Sequence, residues 1–399
     1  MTRSWLARGS LAALGVALAT RAGMVLAEAE KKTSVKQRAP VARIRSEGYT
    51  GHEVCGSCHQ DIHKAWSESA HARSVTDPGF QAGVAESVTK YGEDAKRLCL
   101  TCHAPTTFVT HATNLRDPLV REGITCDFCH TVKSVDLSRA DNPFEIVVGP
   151  VKYGPFEYAP SPAHQTALSV LHRNKPTLCA GCHEYSTVGG FPALTTYSEW
   201  TQGPYPALGV SCQDCHMALV QGSTAREDVK IREEGSYRFI NLHRLVGGGS
   251  QGQLRRGVDL NVVAAEARGD SGIVEVEIVN SAAGHKVPTG LPSKQLVLTV
   301  RALAGGKETF SERRVYERKV VDGKGQLLRS DGDLFMAASR EESDTRIAPQ
   351  EKRRESFRFP LPSGTMQAEI TLEYRYAPPG AEAPRVLVLA HEVRDLRRR

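Results

Sequence analysis

All ten cysteines of this 399-residue chain lie between Cys55 and Cys215, and all fall into one pattern. They occur as Cys55-Gly-Ser-Cys58-His59, Cys99-Leu-Thr-Cys102-His103, Cys126-Asp-Phe-Cys129-His130, Cys179-Ala-Gly-Cys182-His183 and Cys212-Gln-Asp-Cys215-His216. A disulfide framework, zinc ribbons or thioredoxin-like redox pairs would each account for C-x-x-C, but not for a histidine after every pair. Histidine supplies 14 of the 399 residues, so its fivefold recurrence by accident has odds of roughly one in ten million. C-x-x-C-H is the attachment signature of c-type haem.

The spacing has a helical rationale. Two sulfurs three residues apart lie on one face of a turn, from which both reach the vinyl carbons of one haem as thioethers. The next residue projects toward the ring centre, so its imidazole becomes the proximal iron ligand. Five covalently attached haem c groups are expected. Residues 48–250 leave about 40 residues per haem, near the size below which a chain needs a metal, disulfides or a partner to fold. The cofactors must therefore supply much of that region's core. A domain of this length has a radius of gyration of roughly 16 Å, which puts neighbouring rings within electron-tunnelling reach.

Nine histidines remain for five distal positions: His52, His63, His71, His111, His164, His172, His243, His285 and His391. Methionine, the ligand that raises haem potential, is scarce: beyond the N-terminal segment there are Met217, Met336 and Met366, and Met217 follows His216 too closely to reach the opposite face of the same iron. Bis-histidine ligation is the expectation. His71 follows the first motif at a distance that lets it face another ring. His111 lies eight residues past His103. One of His164 and His172 is expected to ligate. His243 precedes the Gly247-Gly248-Gly249 loop, and His285 sits in the stiff loop Gly284-His-Lys-Val-Pro-Thr-Gly290. The distal set expected is thus His71, His111, His243, His285 and one of His164 and His172. His63 is open between a distal, a propionate and a surface role, and His52 and His391 are read as ordinary.

The elements that must position these residues divide the chain. The N-terminus, with Arg3 and Arg8, an apolar run from Gly9 to Thr20 and small residues at Ala27 and Ala29, reads as a secretory signal over residues 1–27; the run is too short to span a bilayer, which takes about 20 residues. A polar segment (28–47) leads into a mostly irregular and helical cytochrome domain (48–250), with Pro- and Gly-rich loops around short helices. From residue 258 to 399 the texture changes to period-2 alternation, as in Ile273–Asn280, Lys294–Leu303 and Ala368–Tyr376. That predicts an all-β domain, an antiparallel, Ig-like sandwich. Residues 247–256 are the expected hinge. The net charge of +6 falls to about +3 once the signal is removed, and no basic stripe interleaves with aromatics, which excludes a nucleic-acid binder.

Several stretches resemble a known family. Gly123–His130 after Cys102-His-Ala-Pro105, Tyr153-Gly-Pro-Phe156, Glu199-Trp200 before Gly209–Met217, His243–Gly248 and Gly284–Gly290 are similar to multihaem c-type cytochromes of the cytochrome c-554 and hydroxylamine-oxidoreductase superfamily, in the branch with a C-terminal β-sandwich. The resemblance covers residues 48–292 well and the rest loosely. It implies that His71, His164, His243 and His285 are distal ligands. Pentahaem nitrite reductases of the wider group use C-x-x-C-K at the catalytic haem, whereas this chain has histidine in all five places.

The function expected is an exported, periplasmic or extracellular electron carrier, relaying single electrons between redox partners such as cytochromes, quinol-oxidising complexes or terminal reductases. One alternative is an oxidoreductase with one open iron acting on a small nitrogen or sulfur compound, with His63, His172, Lys152 or Tyr153 as site groups. Another is a homo-oligomer or extracellular filament in which His52 ligates a neighbour's haem.

Overall fold

A computed structural model describes residues 44–139, 141–157, 159–229, 239–361, 366–377 and 381–398. The signal segment and most of the polar stretch after it lie outside these residues. Among the described residues no helix is long and apolar enough to cross a membrane.

The first two hundred described residues are built from short helices and two-stranded ladders. Each C-x-x-C-H lies on or at the end of a helix. The second motif closes the helix Glu93–His103, the third forms Cys126–Cys129, the fourth ends Thr177–His183 and the fifth is Cys212–His216; Cys55 lies in His52–Gly56. Local sequence accounts for several boundaries. Asp77 accepts hydrogen bonds from the backbone N–H groups of Gly79 and Phe80, and Pro78 opens the helix Pro78–Tyr91. Ser211 and Asp214 form a capping box that starts the fifth motif's helix. Apolar packing here is sparse: one cluster centres on Tyr49, Phe128, Val132 and Phe144, another on Val75, Leu100, Ala104 and Val120. Cores this small cannot hold such a length of chain without a further component.

The C-terminal region is different. Apart from an antiparallel ladder of Arg318–Asp322 with Ala338–Asp344, its strands are β1 (Val258–Arg268), β2 (Ser271–Asn280), β3 (Lys294–Ala304), β4 (Lys307–Tyr316), β5 (Lys352–Pro360), β6 (Met366–Tyr376) and β7 (Arg385–Arg398). They form one seven-stranded sheet in the order β4-β3-β6-β7-β1-β2-β5. All neighbours are antiparallel except β7 and β1, which pair in parallel through Arg397–Glu266 and Arg398–Ala267. The β-rich region is as expected, and the parallel β7–β1 contact departs from the all-antiparallel pairing expected. β7 is long enough to pair along β6, where the register shifts at Leu372/Glu373, and still reach β1 with its last residues. The two arms share one apolar core, with Val274, Val276 and Ile278 of β2, Leu296, Leu298 and Val300 of β3, and Phe357 and Phe359 of β5. The alternation read from sequence is that inward face.

The expected hinge is instead a brace. Gln251–Gly257 is helical, capped by Ser250, and its side chains bond both halves: Gln253 donates to the Cys215 carbonyl, and Gln251 and Arg255 donate to that of Val388. A second brace is the helix Asp331–Ala337, whose Asp333 accepts hydrogen bonds from Lys90 and Tyr91, both at 2.7 Å. From Val41 onward the chain is one compact unit.

Candidate haem-binding sites

All ten cysteines are free thiols. Thiols of different motifs meet in pairs, Cys55 with Cys126, Cys102 with Cys182 and Cys179 with Cys212. Cys129 lies close enough to Cys179 and Cys182 to raise both. The first motif therefore abuts the third, the third abuts the fourth, and the second and fifth each abut the fourth. Among the described residues no cysteine joins a cluster of three metal-ligating groups, which removes the zinc-ribbon explanation.

Four motif histidines each face a second imidazole. The ring centres are 6.2 Å apart for His59 and His164, 6.4 Å for His183 and His71, 6.4 Å for His130 and His243, and 6.3 Å for His216 and His285. Metal–imidazole bonds of about 2.0 Å, with about 1.15 Å more from each nitrogen to its ring centre, would separate two axial imidazoles by roughly 6.3 Å. The spacing fits an iron between each pair.

The orientation fits as well. His59 Nδ1 bonds the Thr224 carbonyl, His130 Nδ1 that of Tyr153 at 2.6 Å, and His216 Nδ1 that of Val246 at 2.5 Å. On the facing side, His164, His243 and His285 direct Nδ1 at the carbonyls of Gln165, Asn241 and Lys286. A carbonyl only accepts, so each Nδ1 carries the proton and each Nε2 keeps a lone pair for a metal. Burial holds His183 near pKa 3 and His71 and His243 near 4, so these rings are neutral, as a ligand must be.

Backbone devices deliver the facing histidines. Ser74 Oγ donates to the carbonyls of both His71 and His103, and Ile124 N–H donates to the His71 carbonyl, so one turn serves two motifs. His285 is locked from both halves of the molecule. Asn280 Nδ2 donates to its carbonyl, while the buried Glu199 carboxylate accepts from Lys286 N–H, Thr289 Oγ1 and Arg346 Nη1. Gly284 lets the loop press on Trp200, where a Cβ would stand 3.0 Å from the indole.

The second motif's histidine, His103, is placed differently. Its Nδ1 donates to the Ser74 carbonyl at 3.1 Å, and Phe80 stacks on its ring at 4.2 Å and 19°. Among the described residues no second imidazole faces it. His111, expected as a distal ligand, ends the short helix Thr107–Thr110 in the left-handed region at φ 54° and points into solvent, because the chain turns away at that cap. Cys99, Cys102 and His103 do not line the continuous cavity bordered by cysteines and histidines of the other four motifs and by His71, His164, His243 and His285, although Cys102 meets Cys182, which does.

Other candidates are engaged elsewhere. His172 stacks on His130 at 5.0 Å, too close for an iron between them, and donates from Nε2 to the Cys129 carbonyl, so of His164 and His172 it is His164 whose spacing from a motif ring leaves room for an iron. Lys152 is buried in an ion pair with Asp127, and Tyr153 contributes its carbonyl to His130. His52 bonds His63 at 2.8 Å, and His391 bonds Thr371. Sequence reading missed Lys294, whose ammonium lines the cavity between the His183 and His285 sites, with no ion pair among the described residues. A lysine that opens an alternating strand looks like any solvent-facing residue.

Residues 54–131, which hold the first three motifs, match the family described as cytochrome c554 and c-prime. Nearly the whole chain is similar to a penta-haem cytochrome c552 from Thermochromatium tepidum, with a TM-score of 0.70 and 22% identity over 90% of this chain and 100% of that one. The fold is that of a multihaem c-type cytochrome. A β-glucuronidase of Bacteroides uniformis (13% identity, 43% of this chain and 17% of that one, TM-score 0.17) and a putative ApaA protein of Bordetella pertussis (10% identity, 34% and 90%, TM-score 0.15) overlap it too partially to inform the fold. No curated protein matches the chain.

Proposed function

We propose that the protein is an exported pentahaem cytochrome that relays single electrons between redox proteins, with four bis-histidine sites and one open site at His103. The observation that carries this reading is the set of four imidazole pairs separated by 6.2–6.4 Å. Haem, when bound, supplies a one-electron ferric/ferrous couple.

The chain's own residues do the rest. The ten thiols fix five attachment points whose sulfurs abut from motif to motif, which supports a branched path through the fourth motif. Backbone carbonyls hold the imidazole tautomers, so a change of oxidation state need not reorganise the ligands. Lys294 offers a buried ammonium to the cavity. Burial lowers its pKa against the opposing charge of Asp331, and the carboxylates of a bound porphyrin are a further fitting partner. The relative from Thermochromatium tepidum is penta-haem by its description, which supports the count of five.

A second reading is favoured by His103 alone: an iron without a second protein ligand is where a small nitrogen or sulfur compound would react. One measurement tests the haem count and a second separates the readings. Intact mass should equal the processed chain plus five haems, and fewer would reject the count. In stopped flow, the reduced protein should be reoxidised rapidly by another multihaem cytochrome and slowly by nitrite, hydroxylamine or tetrathionate; rapid turnover with any of these would make the protein an oxidoreductase acting at His103.

A further inference from the structure

Next to the first attachment motif, three side chains outside the imidazole pairs converge. His52 and Glu53 open the helix His52–Gly56, and His63 comes from the following helix, Gln60–Ser67. His52 Nδ1 lies 2.8 Å from His63 Nε2 and 3.7 Å from Glu53 Oε1, and one donor atom from each residue falls within 4.8 Å of the others. Gly56 makes the approach possible, since a Cβ there would stand 2.7 Å from the His63 ring. The imidazoles stack at 5.1 Å, and Trp66 packs against both, at 4.8 and 5.7 Å. Glu122 adds a second carboxylate behind the cluster, accepting the His52 backbone N–H at 3.1 Å and the Thr125 hydroxyl at 2.8 Å.

We propose that His52, His63 and Glu53 bind one divalent cation of borderline softness, Zn²⁺ or Cu²⁺, beside the first haem site. Two imidazoles and a carboxylate are the donor set those ions prefer over Mg²⁺ or Ca²⁺. With bonds of about 2.0 Å, donor atoms around a tetrahedral ion stand roughly 3.3 Å apart. The 2.8 Å contact must open by about half an ångström and the 3.7 Å contact close by about as much, and the two imidazoles, whose facing nitrogens lie nearly on the line between ring centres 5.1 Å apart, must tilt so that both lone pairs meet the ion. The ion takes the place of the proton that the two rings share. Glu53, with its side chain 83% exposed, is free to swing inward and leaves one coordination position to water. Cys55 belongs to the same helical turn as the two ligands, so the ion would place positive charge at the first haem site. The site depends on neither the number of haems nor their ligation.

The test is a titration of the chelator-treated holoprotein with Zn²⁺ against a chromophoric competitor, and in parallel with Cu²⁺ followed by its electron paramagnetic resonance. One equivalent should bind, with Cu²⁺ showing hyperfine splitting from two nitrogens. His63→Gln should weaken binding at least tenfold and reduce the splitting to one nitrogen. Glu53→Gln, on an exposed side chain that the fold does not need, should weaken it severalfold. His111→Gln and His391→Gln should leave it unchanged. The proposal is overturned if no saturable equivalent binds, if Glu53→Gln and His63→Gln bind as the wild type does, or if removing the exposed histidines abolishes binding.

Discussion

At the scale of single residues, identical pentapeptides have unequal partners. His216 faces His285 across 6.3 Å, whereas His103 has only Phe80 against its ring. Substituting His285→Ala should therefore convert one low-spin centre of the holoprotein to high spin, and His111→Ala should change nothing in the same spectrum. Lys294 acts on the sites of His183 and His285 by charge. Removing it as Lys294→Met takes a positive charge from beside two irons, which disfavours their reduction. Two midpoint potentials should fall by on the order of tens of millivolts in a spectroelectrochemical titration, with the others unmoved. The proposed proximal set is read from sequence alone, because C-x-x-C-H would encode attachment and ligation in five adjacent residues. Sequence could not separate His164 from His172, since both lie in the same loop-rich stretch. The parallel pairing of Val151–Gly154 with Gln165–Leu168 and the Nε2 bond of His172 to Cys129 make that choice, and both are long-range facts.

At the scale of elements, each facing histidine depends on a segment fixed from elsewhere. Gly123 has φ +68°, and a Cβ there would lie 2.4 Å from Ser74 Oγ and 2.6 Å from the His71 carbonyl oxygen. Gly123→Ala should cost about 1–3 kcal/mol in backbone strain, measured by denaturation of the holoprotein, and should broaden the signals of the two sites that share that turn. The His285 loop depends on Asp344 through Arg346 and Lys286. Burial alone would raise the Asp344 carboxyl, but hydrogen bonds and charge from those two cations outweigh it and hold it below the usual carboxylate range. Its folded value lies below its unfolded value of about 3.9, so the contribution is complete above about pH 4 and drains away as the pH falls further. In an acid titration the low-spin signal of the His285 centre should persist to about pH 4 and then decline, and Asp344→Asn should lose that centre's stability already at neutral pH. The alternating strands were legible because one face is buried. The single sheet was not, because the β7–β1 contact joins the two ends of the domain through residues with no distinctive type.

At the scale of the molecule, the cofactor-holding half and the β half are braced by Gln251–Gly257, by the Glu199 network and by the Asp333 contacts. In the proposed reading the β domain thereby takes part in the ligand set through His285 and in its electrostatics through Lys294. The absence of a large apolar core from the first half was legible as arithmetic of residues per haem. The inequality of the five sites was not, since it arises from where distant loops return. That inequality is the central claim, and low-temperature electron paramagnetic resonance of the oxidised holoprotein tests it most directly. Spin integration should give four low-spin centres and one high-spin centre, and the high-spin signal should remain in His111→Ala. Five low-spin centres would contradict the account, because His103 would then have a sixth ligand; two or more high-spin centres would contradict the imidazole pairs.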